Sequence, residues 1–306
     1  MLPSQRFSEI YAGAQRPVIS FELFPPKTDA GLARLIRLLP GLAALRPDFF
    51  TVTYGAFGSR RLYTLDIAAH VLDRYSAPAA CHLTCVNSTR EQLDAVLEAY
   101  YRAGVRNVVA IRGDPPQGSA AFAPLPGGCA HANELVEHIH DFTRRTGRER
   151  FGIAVAGYPE KHLEAPDFET DLRRLRRKVD AGADIVITQL FFDNAHYFRF
   201  LRAARNAGVQ VPIVPGLMPI LSPSQVRRMT SMCGATIPPD LQASLNEAGD
   251  DEARAQEVGI RRCISQAAEL LDRGVPGLHF YVLNQFHSIR HVLEGVRREK
   301  QGQSPI

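Results

Sequence analysis

The stretch Ala181-Gly182-Ala183-Asp184-Ile185-Val186-Ile187 contains the junction on which the predicted fold depends. It begins at the end of a helical pattern, passes through a glycine and continues into a run of β-branched residues. Glycine just past the end of a helix adopts the left-handed conformation at little cost, and the strand that follows re-enters the core. The stretch therefore predicts the helix-to-strand junction of one βα unit.

The same junction recurs along the chain. A glycine separates a helix end from a strand in three further places, and other β-rich segments fall between these junctions. Amphipathic segments with helical periodicity lie between the strands. The predicted strands are Val18–Phe24, Phe49–Tyr54, Ala80–Cys85, Val108–Ile111, Phe151–Gly157, Ile185–Ile187, Val211–Val214 and Leu278–Val282.

Eight βα units without a Pro-, Gly- or Ser-rich linker predict a single α/β domain, a (β/α)8 TIM barrel over residues 1–306. A doubly wound open sheet is the alternative, but the sequence lacks the glycine-rich nucleotide-binding fingerprints typical of that fold. The stretch from Ser222 to Asp272, between strands seven and eight, is longer than one βα unit needs. We expect it to add extra helices to the barrel.

Composition and charge exclude several classes of protein. The 306 residues include 36 Lys+Arg and 32 Asp+Glu, a net charge of +4, and 45% of them are hydrophobic. Such a chain buries a large core, which excludes global disorder, and its basic excess is too small to indicate a nucleic-acid partner. No apolar run reaches the ~18 residues of a membrane span, and the N-terminus lacks a signal-peptide pattern. We therefore expect a cytoplasmic protein without a membrane partner.

The five cysteines are odd in number and include no Cys-x-x-Cys pair, which is typical of buried thiols in a reducing compartment. Cys81, His82 and Cys85 together suggest a zinc site. In an extended segment, however, alternation places the two cysteines on one face and His82 on the other. We therefore expect no metal.

Polar side chains fall at the ends of the predicted strands, where barrels build their active sites. A carboxylate, Glu22, lies among the apolar residues of the first strand, and burial there is expected to raise its pKa so that it holds a proton near neutral pH. The strand-end residues are Glu22, Thr53, Tyr54, His82, Arg112, Asp114, Tyr158, His162, Gln189, Asn284 and Gln285.

Each of these residues also has a purely structural interpretation. Glu22 could pair with Arg112, and His82 could be a satisfied core histidine. Gln225 follows Ser222 by three residues and could complete a helix capping box. The basic run from Arg173 to Lys178 is typical of a solvated helix face.

The combination of motifs resembles one family, the methylenetetrahydrofolate reductases. The matching blocks run in family order through nearly the whole chain, and the resemblance is to the short, bacterial type without the C-terminal regulatory domain of eukaryotic members. The blocks are Phe21–Lys27, Thr51–Ala56, His82–Cys85, Ala110–Pro116, Ala156–His162, Lys178–Ala183, Thr188–Asp193, Pro215–Pro219 and His279–Asn284.

The resemblance implies a (β/α)8 barrel that binds FAD. NADH or NADPH would reduce the FAD, and the reduced FAD would convert 5,10-methylenetetrahydrofolate to 5-methyltetrahydrofolate. Opening of the methylene bridge to an iminium cation needs a proton, so the site requires a general acid. By resemblance Glu22 is that acid, and Asp114 is the carboxylate that stabilises the cation.

The resemblance also assigns binding residues. Gln189 and Gln225 stand where the family contacts folate, whereas Gln285 replaces an arginine that usually does so, and a neutral amide cannot supply the same charge-assisted contact. The expected FAD contacts are Thr53, Tyr54, His82, Arg112, Gly113, Asp114, Ala132, Tyr158, His162, Ala165, Asp171 and Lys178.

Two other functions stay open at this point. A related FAD barrel could act on another pterin or on an amine, and Gln285 favours this alternative. A degenerate homologue could serve as a non-catalytic flavin-binding subunit, although a scaffold does not need a buried proton donor. The expected partners are small molecules, and homo-oligomerisation is left open.

Overall fold

A computed structural model describes residues 5–54, 59–114 and 123–300, with residues 59–62 described by their backbone alone. Parts of two motif blocks, residues 55–56 and 115–116, lie outside the described residues. The strands are β1 Val18–Leu23, β2 Phe49–Val52, β3 Ala79–Thr84, β4 Asn107–Ile111, β5 Gly152–Gly157, β6 Ile185–Thr188, β7 Ile213–Val214, β8 Gly216–Leu217 and β9 Gly277–Tyr281. The helices are α1 Phe7–Gly13, α2 Asp29–Ala44, α3 Ser59–Tyr75, α4 Arg90–Arg102, α5 Ala132–Thr146, α6 Phe168–Asp180, α7 Asn194–Asn206, α8 Pro223–Cys233, α9 Pro239–Ala248, α10 Glu252–Asp272 and α11 Phe286–Lys300.

All strand pairs of the sheet are parallel, and β1 to β7 pair in chain order while β1 also pairs with β9. Helices follow the strands, which confirms the predicted α/β barrel. A single domain over the whole chain stays a prediction.

The predicted seventh strand, Val211–Val214, forms only over its last two residues, and a second short strand that was not predicted follows it. Pro215 separates β7, which pairs with β6, from β8, which pairs with β9. Proline has no N–H to donate to a neighbouring strand, but its carbonyl accepts a bond from the His279 N–H at 3.0 Å. The Gly216 N–H donates to Thr188 Oγ1 at 2.9 Å. The segment Ile213–Leu217 therefore links β6 to β9 and almost closes the barrel.

Alternation along the strands separates two apolar regions. The outward residues of β3, Cys81 and Leu83, join the large core between the strands and the surrounding helices. The inward face carries His82 instead, as alternation predicted. All five cysteines are free thiols, and Cys233 alone of them is not fully buried.

A short helix, α1, closes the end of the barrel where the strands begin. Phe7 and Ile10 pack on inward residues of the strands, and the Phe7 ring meets the Phe49 ring edge-on at 5.1 Å. Asn107 at the start of β4 holds this helix in place, because its Oδ1 accepts the Phe7 N–H and its Nδ2 donates to the Gln5 carbonyl, both at 2.8 Å. The opposite end, where the strands finish, is left for the site.

The long connection before β9 forms three helices, α8, α9 and α10, which confirms the extra helices expected there. Ser222 caps α8 by accepting the Gln225 N–H at 3.2 Å. Apolar residues of these helices, such as Val226 and Leu241, share a third core with Leu190 and Met218 beside the barrel mouth. In the described part of the chain, none of the helices is both long and apolar enough to cross a membrane.

Candidate active site

Two adjoining cavities lie at the carboxyl ends of the strands. The first has a volume of about 330 Å³ and the second of about 300 Å³, and the polar side chains that line both are those of Arg112, Tyr158 and His162. Predicted site residues in the first cavity are Glu22, Thr53, Tyr54, His82, Gly113, Asp114 and Gln189, and those in the second alone are Ala132, Asp171 and Lys178.

Three residues with predicted binding roles line neither cavity. Ala165 is buried, and its carbonyl accepts a bond from Lys161 Nζ at 2.5 Å. The Gln225 Oε1 accepts the Leu221 N–H at 2.7 Å, so its amide carbonyl serves the start of α8. Gln285 is exposed at the start of α11. The binding roles of these three residues therefore stay predictions.

Glu22 lies in the middle of a buried polar cluster. The pairing of β1 with its neighbours sets Glu22 level with Thr51 and Ser20 level with His279. The carboxylate Oε2 contacts His82 Nε2 at 3.2 Å and His279 Nε2 at 3.3 Å, and it accepts a bond from Thr51 Oγ1 at 3.4 Å. His279 Nδ1 in turn meets Ser20 Oγ at 2.8 Å. One carboxylate is therefore flanked by two imidazoles.

The expectation of a raised pKa for Glu22 is wrong. Burial does push the pKa of this carboxyl upward, but the charge of His82 and the hydrogen bonds from His279 and His82 outweigh burial and lower the pKa to about 2. The sequence could not show this cluster, because His82 and His279 are far from Glu22 in the chain. Any proton that Glu22 delivers belongs to the carboxylate and its imidazoles together.

The suggested ion pair between Glu22 and Arg112 is also wrong. Arg112 instead forms a two-point ion pair with Glu164, with Nη1–Oε2 at 2.5 Å and Nη2–Oε1 at 2.6 Å. The Glu22 carboxylate contacts His82 and His279 instead of Arg112.

The loop between β5 and α6 presents His162 in a defined state. The Glu164 N–H donates to His162 Nδ1 at 3.1 Å, so the neutral ring carries its proton on Nε2. Burial lowers the pKa of His162, which favours that neutral donor form. The His162 N–H donates to Asp171 Oδ2 at 3.0 Å, so one oxygen of this carboxylate holds the loop.

The basic run of α6 divides into two sets. Arg173 and Arg176 have acidic partners on the same helix, Glu169 and Asp180, so the solvated-face interpretation holds for these two. Arg174 and Arg177 line the second cavity together with Lys178.

Lys178 is half-buried beneath this cavity, and its ammonium donates to the Ala156 carbonyl at 2.5 Å. Burial lowers the pKa of Lys178 to about 8 against the opposing charge of Asp171. Among the described residues lining the second cavity, four basic side chains face two carboxylates, those of Glu164 and Asp171. The cavity therefore suits a ligand with two negative charges, such as a diphosphate.

Gln189 faces the first cavity with a fixed amide. Its Oε1 accepts the Leu190 N–H at 2.8 Å, which leaves the NH₂ group to donate into the cavity. Asp114 is exposed at the rim of the same cavity. Asn284 is structural, because its side chain pairs with both main-chain groups of Phe24.

Sequence reasoning missed several site residues. Period-two alternation from His279 would have found Tyr281, which lines the first cavity and donates to the Thr188 carbonyl at 2.7 Å. Helical spacing from Asp171 would have found Arg174, three residues on. No local pattern singles out Glu164, because its partner Arg112 is 52 residues away in the chain.

Comparison with known proteins identifies the family. A sequence model described as methylenetetrahydrofolate reductase matches residues 6–297. The chain is 39% identical over 291 residues to "Methylenetetrahydrofolate reductase (NADH) 1" of Zea mays, which covers 92% of the chain and 48% of that protein. It is 36% identical over 282 residues to "5,10-methylenetetrahydrofolate reductase" of Escherichia coli, which covers 91% of each.

The chain thus spans about half the length of the plant relatives and nearly the full length of the bacterial one. Among solved structures, it resembles an uncharacterized protein from Clostridium thermocellum that binds two copies of 5-methyl-5,6,7,8-tetrahydrofolic acid. The TM-score is 0.61 at 16% identity, with 96% of this chain and 98% of that one covered, and this likeness supports the fold alone. The matches to the family model and to the bacterial reductase show that the chain belongs to the methylenetetrahydrofolate reductase family.

Proposed function

We propose that this protein reduces 5,10-methylenetetrahydrofolate to 5-methyltetrahydrofolate, with electrons from NADH or NADPH passing through bound FAD. The observation that carries the proposal is the buried Glu22 between His82 and His279, at the floor of a cavity that adjoins a basic one. Family membership supports the folate substrate, and the cavities support the dinucleotide.

The residues of the two cavities fit FAD. The basic set of the second cavity, Arg174, Arg177 and Lys178, suits the diphosphate. The His162 Nε2–H can donate to a phosphate or hydroxyl oxygen, and Asp171, whose Oδ2 accepts the His162 N–H, can accept a hydrogen bond from a ribose hydroxyl through its other oxygen. Bound FAD would supply the hydride carrier between the nicotinamide and the folate.

Glu22 and Asp114 divide the acid and the electrostatic roles. The methylene bridge accepts a hydride only after its ring opens, and opening requires a proton on the departing nitrogen. A proton held by His82 or His279 can pass to the Glu22 Oε2 that both imidazoles contact and from there to the substrate. Asp114 at the rim supplies a negative charge that stabilises the cation.

We also propose the domain organisation, the cellular location and the folate contacts of this enzyme. The barrel forms one catalytic domain that acts on small molecules in the cytoplasm. Gln189 donates to the bound folate or nicotinamide through its NH₂ group. Gln225 and Gln285 contribute at most through parts of the folate that extend beyond the cavity, because neither residue lines it.

Absorbance of the flavin tests this function. The purified protein should show an FAD spectrum, directly or after incubation with FAD, and NADH or NADPH should bleach it without oxygen. Methylenetetrahydrofolate should then restore the absorbance and yield 5-methyltetrahydrofolate. A protein that binds no FAD, or whose reduced flavin is not reoxidised by this folate, would contradict the proposal. Reoxidation by another pterin or an amine alone would favour the alternative enzyme.

A further inference from the structure

The ion pair between Arg112 and Glu164 bridges two parts of the barrel mouth. Arg112 follows β4 and lines both cavities, whereas Glu164 lies on the loop between β5 and α6 and lines the second cavity. Arg112 Nη1 donates to Glu164 Oε2 and Nη2 donates to Oε1, while the Arg112 Nε–H donates to the Gly113 carbonyl at 3.2 Å. A guanidinium held at three points has a fixed plane.

The same loop is held by its own main chain. Lys161 has φ +109°, a conformation that a non-glycine residue keeps only when its surroundings enforce it. The residues that follow it are held by the bond from the Glu164 N–H to His162 Nδ1 and the bond from the His162 N–H to Asp171 Oδ2. Glu164 therefore connects the loop with the strand end by its side chain and with His162 by its backbone.

Glu164 places a negative charge at the wall of a cavity that is rich in basic residues. A carboxylate beside a cavity rich in basic residues weakens the attraction for a diphosphate. Its side chain is 47% exposed, so burial does not force the pairing with Arg112. A negative group at this place needs a compensating benefit, and the geometry offers one, the fixed orientation of Arg112.

We propose that Glu164 is a positioning residue for FAD binding, which holds the Arg112 guanidinium between the two cavities and fastens the β5–α6 loop beside it. The inference rests on the proposed function. The opposite interpretation makes Glu164 a competitor that the diphosphate must displace from Arg112. The two interpretations predict opposite signs for the effect of removing the carboxylate.

Titration of the FAD-free protein with FAD, followed by flavin fluorescence, shows whether removing the Glu164 carboxylate weakens or strengthens FAD binding. Glu164→Gln should weaken FAD binding by about 10-fold, the size of a charge-assisted contact at a partly exposed site. Glu164→Asp keeps the charge and should recover part of the affinity. Glu169→Gln removes the same charge from an 87% exposed side chain on α6 and should change the affinity by less than about 2-fold.

Arg112→Gln tests whether Glu164 acts through the guanidinium. In that background Glu164→Gln should have little further effect, because the two residues form one unit. Equal or tighter FAD binding by Glu164→Gln, or an undiminished effect in the Arg112→Gln background, would overturn the inference. Unfolding temperatures identify a variant that fails to fold. If Glu164→Gln fails to fold, the FAD affinity of Glu164→Asp tests the inference instead, and an affinity equal to or tighter than that of the wild type would overturn it. Wild-type protein that binds no FAD would refute the proposed function itself, whereas normal wild-type binding with unaffected Glu164 variants refutes only this inference.

Discussion

Glu22 can be tested by a substitution that keeps its shape and removes its acidity. Glu22→Gln retains hydrogen bonding to His82 and His279 but cannot carry a proton to the substrate. Flavin reduction by the nicotinamide needs no general acid, so we expect that half-reaction to stay within a small factor. Folate reduction should fall by ~100-fold or more, the size of a general-acid contribution. Stopped-flow absorbance of the flavin times each half-reaction separately.

The pattern of loss distinguishes the roles of Glu22. A parallel fall in both half-reactions would mean that the residue positions the flavin or supports the fold. Unchanged rates would mean that an imidazole delivers the proton directly. His82 and His279 are the candidates in that case, because both contact the carboxylate.

The proposed binding of FAD should depend on pH through Lys178. Burial lowers the pKa of Lys178 to about 8, whereas a diphosphate beside its ammonium would raise that pKa, so binding takes up a proton above pH 8. The protonated ammonium is the form that binds the diphosphate, so the affinity for FAD falls as the pH rises. We expect the dissociation constant for FAD to increase by about 10-fold between pH 7 and pH 9.

Lys178→Arg is the control for this dependence, since a guanidinium stays charged throughout that range. The variant should bind FAD with little change between pH 7 and pH 9, even where its overall affinity differs. Titrations at several pH values measure both slopes. Equal slopes for the variant and the wild type would assign the proton to a group other than Lys178.

At the scale of elements, the interrupted seventh strand is a tightly packed part of the barrel. A Cβ at Gly216 would lie 2.3 Å from the Thr188 carbonyl oxygen and 2.7 Å from the Tyr281 ring. Because the nearest atom belongs to the backbone of β6, Gly216→Ala must move a strand. We expect it to lower the free energy of unfolding by about 2 kcal/mol or more.

Gly13→Ala is the matched control, since a Cβ at Gly13, the last residue of α1, meets nothing within 4 Å. Its free energy of unfolding should change by less than about 1 kcal/mol. Urea unfolding measures both variants. A Gly216→Ala protein as stable as the wild type would show that β6 and β8 can separate without cost.

The elements were predictable because each follows a local rule. Glycines at the helix ends and period-two alternation define the strands, and the same alternation turns His82 inward and Cys81 outward. The break at Pro215 was not predicted, because a single proline also fits the end of an ordinary strand. Helix α1 was missed as well, since seven residues are too few for a helical periodicity to be recognised.

At the scale of the whole molecule, the barrel topology explains which site residues the sequence could predict. The strands end at one mouth of the barrel, so the position of the residues that follow them can be predicted even though their contacts are unknown. The barrel topology does not predict which side chains from distant segments contact one another. The imidazoles around Glu22 and the pairing of Arg112 with Glu164 therefore appear only in the folded chain.

The same topology places α1, which closes the end of the barrel where the strands begin, at the opposite end from the candidate site. Asn107 is fully buried and carries both hydrogen bonds that fasten the chain around Phe7. Asn107→Ala leaves the Phe7 N–H and the Gln5 carbonyl without these partners, and we expect a loss of about 2–3 kcal/mol in the free energy of unfolding. The dissociation constant for FAD of the folded variant should stay unchanged.

Asn246→Ala, at an exposed amide on α9, controls for the loss of a surface hydrogen bond and should alter stability by less than about 0.5 kcal/mol. Thermal unfolding and FAD titration on the same samples give both quantities. Weaker FAD binding by folded Asn107→Ala would mean that α1 at one end of the barrel is coupled through the strands to the cavities at the other end. Unchanged binding with lowered stability would show that α1 supports the fold and takes no part in the chemistry.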